Sequence, residues 1–136
     1  MKKLLCILFF LALISSSVAG CFYIRLRPKA APLTYPALEQ IRKMTVVKNR
    51  STDPVTITEQ DAAALLSSLA STEPTRRQSL NDSPAVTPYY RLTLVTEERT
   101  YIYYLYEDDG VTYLESPYEG IYRIEKSALS HLAAYQ

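Results

Sequence analysis

Three strand-like runs carrying seven tyrosines between them, separated by short polar turns, constrain this 136-residue chain more than any other feature. They are YYRLTLVT from Tyr89, TYIYYLYE from Thr100 and VTYLES from Val111. The first alternates, with Tyr90, Leu92 and Leu94 on one face, and the β-branched and aromatic content suits strands. Glu97-Glu98-Arg99 marks a charged turn. Glu107-Asp108-Asp109-Gly110 marks an Asp-Gly hairpin, where glycine takes positive φ without a Cβ clash. Strands joined by turns this short must run antiparallel. Ser116-Pro117 ends the third strand, and Gly120 to Ile124 reads as a fourth.

The flanking segments supply helices. Ile41 to Lys48 predicts a strand, stopped by Asn49-Arg50-Ser51. Asp53-Pro54 is a turn, and Val55-Thr56-Ile57 a short extended piece. Thr58 is a good N-cap with Asp61 three residues on, and Ala62, Leu65, Leu66 and Leu69 recur at helical spacing. A helix is expected over 59–71. Ser127 predicts the cap of a closing helix with Leu129, Leu132 and Ala133 on one stripe. Thr72 to Pro88 has neither period and reads as a long irregular loop. The expected fold is α+β: a two-layer sandwich in the order β-α-β-β-β-β-α, with an antiparallel sheet of three to five strands and two helices on one face.

The chain opens with Lys2 and Lys3, an apolar run from Leu4 to Ile14, and then Ser15-Ser16-Ser17. These are the parts of a secretory leader. Val18-Ala19-Gly20-Cys21 resembles the lipobox of bacterial lipoproteins. That resemblance implies cleavage after Gly20 and a diacylglyceryl group on the Cys21 thiol. The alternative is an uncleaved anchor, since the apolar stretch can be extended to Ile24, but Arg25, Arg27 and Lys29 then oppose a clean orientation. Both readings put the rest of the chain outside the membrane. The expected division is a leader over 1–20, a lipidated tether over 21–37 punctuated by Pro28, Pro32 and Pro36, and a single domain over 38–136. The expected location is the extracytoplasmic face of the cell membrane, held there by membrane lipid through acylated Cys21.

Removing residues 1–20 leaves 116, enough for one core. Lys2 and Lys3 leave too, so 13 basic residues face 14 acidic ones, which argues against nucleic acid as a partner. Cys6 goes with the leader, so no disulfide or thiolate metal site is expected. His131 is the only histidine, which leaves little material for a serine or cysteine triad and excludes a multi-histidine zinc site. The carboxylate pairs Glu97/Glu98 and Asp108/Asp109 fall in turns, where polar residues are expected anyway. Glu107-Asp108-Asp109 lacks the alternation of a calcium loop, and no glycine-rich phosphate loop is present. No catalytic residue, metal or cofactor is assigned.

Two segments stand out as candidate binding surfaces. Thr75, Arg77, Ser79, Asn81, Asp82 and Pro84 spell T-x-R-x-S-x-N-D-x-P, and Pro117 to Tyr122 spell P-Y-E-G-I-Y. Arg77 can pair with Asp82 or meet an anion, Asn81 and Asp82 can freeze the loop, and Tyr118, Glu119 and Tyr122 flank Gly120. The bland alternatives are a self-satisfied structural loop and a kink at a sheet edge. Both motifs, with the meander between them, resemble a family of small lipoproteins of unknown function found mainly in Firmicutes. The resemblance covers roughly Leu38 to Leu132 and departs at Leu80, where the family usually has valine. It implies a lipoprotein of a single-membrane host and no particular activity.

The functional expectation is a membrane-anchored binding or accessory module, not an enzyme, presenting Arg77, Asn81, Asp82, Tyr118, Glu119 and Tyr122 to an envelope protein, peptide or glycan. An immunity-like or inhibitory envelope protein is the alternative. A carboxylate-based envelope hydrolase is the third reading.

Overall fold

Alternation along Tyr89–Val95 sorts its side chains to two faces, and the rest of the sheet follows that register. In this computed structural model the described residues are 20, 23 and 26–135; the expected leader up to Ala19 and Cys21, the expected lipidation site, lie outside them. Among the described residues no helix is long and apolar enough to cross a membrane.

Seven strands form one antiparallel sheet: β1 (Lys43–Lys48), β2 (Val55–Thr56), β3 (Glu73–Pro74), β4 (Tyr89–Val95), β5 (Thr100–Asp108), β6 (Val111–Ser116) and β7 (Gly120–Arg123). Their spatial order is β2-β1-β4-β5-β6-β7-β3. Two helices follow β2 and β7: α1 (Glu59–Leu69) and α2 (Lys126–Ala133). The Asp-Gly turn joins β5 to β6 with positive φ at both Asp109 and Gly110, the geometry that matches strand twist in a two-residue hairpin.

The α+β class stands, but the sheet is larger than the three to five strands expected, and the order is β-β-α-β-β-β-β-β-α. The additional strands are two residues each. Val55–Thr56 joins the edge at β1, and Glu73–Pro74 joins the opposite edge at β7. Two residues carry no period, so only the partner strand reveals them. Helix α1 ends at Leu69. The cap of α2 is Glu125, two residues before the expected Ser127, and its stripe is centred on Ala128 and Leu132.

Both helices cover one face. Ala62, Leu65 and Leu69 of α1 and Ala128 and Leu132 of α2 share a single core cluster with Met44, Val46, Leu92, Leu94, Tyr103, Leu105, Leu114 and Tyr122. Burying such side chains contributes about 1.5–3 kcal/mol each, enough to hold a domain without disulfides. The other face carries a small second cluster, Tyr89, Tyr104 and Tyr106, with Val86 and Tyr113 against it. The 75–88 segment covers that face.

Packing begins inside the segment read as tether. The Ala30 amide donates to the Thr75 carbonyl, the Tyr122 hydroxyl donates to the Ala31 carbonyl at 3.0 Å, and Tyr35 sets its ring edge-on to Tyr103. Ala30 crosses Gly120 so closely that a Cβ on that glycine would overlap the alanine methyl.

Candidate functional site

The 75–84 motif is built by alternation. Thr75, Arg77 and Ser79 engage the sheet, while Arg76, Gln78 and Leu80 face out, Leu80 at 71% exposure. Thr75 donates both its amide and its hydroxyl to the Ile121 carbonyl, and its hydroxyl oxygen accepts the Arg77 amide. Arg77 reaches Asp108 at 2.9 Å and lies 4.7 Å above the Tyr113 ring. Its carboxylate partner is thus Asp108 on β5, not Asp82. Ser79 donates to the buried Glu115 at 2.6 Å, and Tyr106 donates to the other oxygen of that carboxylate. Burial pushes the Tyr106 hydroxyl well above the ordinary tyrosine value, with the Glu115 charge adding to it.

The second motif is the β6–β7 turn. Tyr118 stands at φ 64°, a conformation uncommon for a bulky residue. Two contacts hold it there: its amide donates to Ser79 Oγ, and its hydroxyl donates to Asp82 at 2.6 Å. Glu119 accepts the Ser116 hydroxyl at 2.6 Å.

The six expected binding residues therefore do not form one surface. Asp82 and Tyr118 meet, and Arg77 is tied down further along the same face. Asn81 is exposed on the loop. Tyr122, expected as a contact residue, is 1% exposed because its ring points to the helix side and completes the core. Glu119 is exposed and stands on the wall of a cavity.

That cavity is a groove of ≈ 530 Å³. One wall is the 31–34 segment, another is the turn at Ser116, Pro117 and Glu119, and the floor includes Tyr101 and Tyr103. Arg99 stands at its end, 4.1 Å above the Tyr101 ring. Its position follows from unequal strands. β5 has nine residues and β6 six, and pairing between them starts only at Tyr104 with Glu115. Continuing that register would set Pro117 opposite Ile102, but proline has no N–H to donate. Among the described residues no strand pairs with the first half of β5 on that side.

Sequence reading missed this groove because Arg99 looked like turn polarity and Ile102 like ordinary strand content. The usable signal was the length mismatch across the Asp-Gly turn, together with Pro117.

The carboxylates weighed for hydrolysis are dispersed. Glu97 pairs with Arg42, Asp108 with Arg77, and Glu119 with the Ser116 hydroxyl. Among the described residues no group of three or more His, Cys, Asp or Glu could hold a metal ion. His131 is exposed on α2.

Comparison with known proteins gives a family and a fold. A family model, DUF5301, described as "Domain of unknown function (DUF5300)", matches residues 29–123. Its first matched residue, Lys29, directly precedes Ala30, whose amide bonds the Thr75 carbonyl. Among solved structures, the NMR structure of a protein from Ruminococcus gnavus is similar, with a TM-score of 0.57 and 24% identity over 71% of this chain and 94% of that one. A likeness of that degree shows the fold alone. No curated protein matches.

Proposed function

We propose that this chain, which belongs to the DUF5301 family of domains of unknown function, acts as a lipid-anchored binding module on the extracytoplasmic face of the membrane. The observation that carries the binding role is the groove beside the first half of β5, with Arg99 and Glu119 on its rim and a tyrosine floor. Tyrosine offers a broad apolar face with a hydroxyl, which suits recognition surfaces. The 75–84 loop serves the scaffold: its motif residues are spent on Ile121, Asp108 and Glu115. Anchoring rests on the leader and on Val18-Ala19-Gly20-Cys21, and two acyl chains on Cys21 would hold the domain stably.

Two measurements test the two halves. Mass spectrometry of protein extracted from membranes should find a diacylated Cys21 as the first residue; an intact leader overturns the anchor. A photo-crosslinking residue placed at Ile102 in intact cells should capture a discrete envelope species that the same residue at Ala63, exposed on α1, does not. Equal labelling at both sites overturns the binding role.

A further inference from the structure

The geometry points to an extended polypeptide as the occupant of the groove, added as a strand to the free half of β5, with a basic residue facing Glu119 and an acidic one facing Arg99. This inference rests on the binding role proposed above and names its ligand class.

The backbone carries it. In an antiparallel strand, successive residues direct their N–H and C=O groups to opposite sides. Arg99 closes the β4–β5 turn toward Thr96: its carbonyl accepts the Thr96 amide at 3.0 Å, and its amide donates to Thr96 Oγ1. Thr100 and Ile102 therefore direct their amides and carbonyls away from β4. Further along, the same parity brings Tyr104, Tyr106 and Asp108 to β6. Among the described residues no strand pairs with Thr100 or Ile102 on that side. Both residues line the groove, and Ile102 is 42% exposed. Two residues in this register offer two donors and two acceptors at strand spacing, a pattern that another extended backbone satisfies.

The rim selects charge. Glu119 lies near enough for its charge to act on Arg99, yet neither is ion-paired among the described residues. Arg99 rests on Tyr101, and Glu119 holds only the Ser116 hydroxyl. A strand laid antiparallel to β5 would pass the turn at Glu119 first and Arg99 last. The complementary peptide carries Lys or Arg, then Asp or Glu about four positions later. Glycans are the weaker fit, because their hydroxyls do not reproduce the alternating amide pattern.

The test uses the full chain, lipidated and isotopically labelled in detergent micelles, and the capped pentapeptide KVTVE. Saturable binding should shift the Thr100 and Ile102 amides and slow their exchange with solvent. Methylating alternate peptide nitrogens should weaken binding about tenfold or more, since each methyl removes a donor to the β5 backbone. Arg99→Glu should weaken KVTVE and favour the charge-reversed EVTVK. Ile102→Pro removes a groove-facing donor without removing a bond to β4 and should abolish binding; if that variant does not fold, the methylated peptide decides the same point. Equal affinity of the methylated and unmethylated peptides overturns the inference. So does a soluble cell-wall oligosaccharide shifting these amides when peptides do not, or self-association through 100–102 without peptide. Those results leave the binding role standing, whereas equal crosslinking at Ile102 and Ala63 removes both.

Discussion

Ser79 donates a 2.6 Å hydrogen bond to Glu115 across 36 positions of sequence, and this contact fastens the 75–88 segment to the sheet. The same oxygen accepts the Tyr118 amide at 3.3 Å. One hydroxyl therefore joins a buried carboxylate, a loop and the β6–β7 turn. Its partner Glu115 is 5% exposed and holds a second bond from Tyr106, so one buried carboxylate ties the loop to β5 and β6.

Ser79→Ala should destabilise the domain by about 1–3 kcal/mol, because it strips one donor from a buried carboxylate and an acceptor from the Tyr118 amide. Urea unfolding should show a lower midpoint with an unchanged slope. A double-mutant cycle with Glu115→Gln should return a coupling that neither single change explains. An unchanged midpoint would mean that water replaces the hydroxyl, and the fastening role would fail.

Gly120→Ala should cost about 1–3 kcal/mol by pushing the 30–34 segment off β7. The cause is overlap with the Ala30 methyl, not backbone strain, because Gly120 is not among the residues with positive φ. Ala30→Gly should therefore recover part of the loss in the double variant. Thermal melts of the four proteins measure this, and strictly additive losses would refute the overlap.

Alkaline pH should unfold the protein ahead of full tyrosine ionisation. Burial pushes the Tyr35 hydroxyl up to about 12 from an ordinary value of 10.0, against the bond to Thr72 that lowers it. Tyr103 and Tyr106 are also raised by burial. The folded values exceed the unfolded ones, so this stability is intact below pH 10 and is lost as pH rises toward about 12. Absorbance titration should show exposed phenols ionising first and the buried group together with loss of tertiary structure. Smooth titration of all tyrosines near pH 10 in a folded protein would contradict the packing.

The meander was legible because its period and its turns agree: alternation along Tyr89–Val95, Asp109-Gly110 with positive φ at both positions, and a proline after Ser116. Helix α1 was legible from Thr58 and the Ala62, Leu65, Leu69 stripe, and Thr58 Oγ1 does accept the Asp61 amide. Strands β2 and β3 were not, because two residues have no periodicity and become strands only when a neighbour's free edge receives them. The site was harder still. Arg77 and Asp82 stand close in sequence, but alternation in the loop sends one to Asp108 and the other to Tyr118.

Local chemistry along the chain determined the strands from Tyr89 onward, the main helix and the α+β class, because each depends on periods and turn residues spanning a few positions. Tertiary structure alone decided that the 30–35 segment packs against the sheet, that Tyr122 is core, and that a groove opens beside Thr100 and Ile102. Those outcomes depend on which strand stops opposite which. That is settled by pairing and steric contact between residues far apart in the chain.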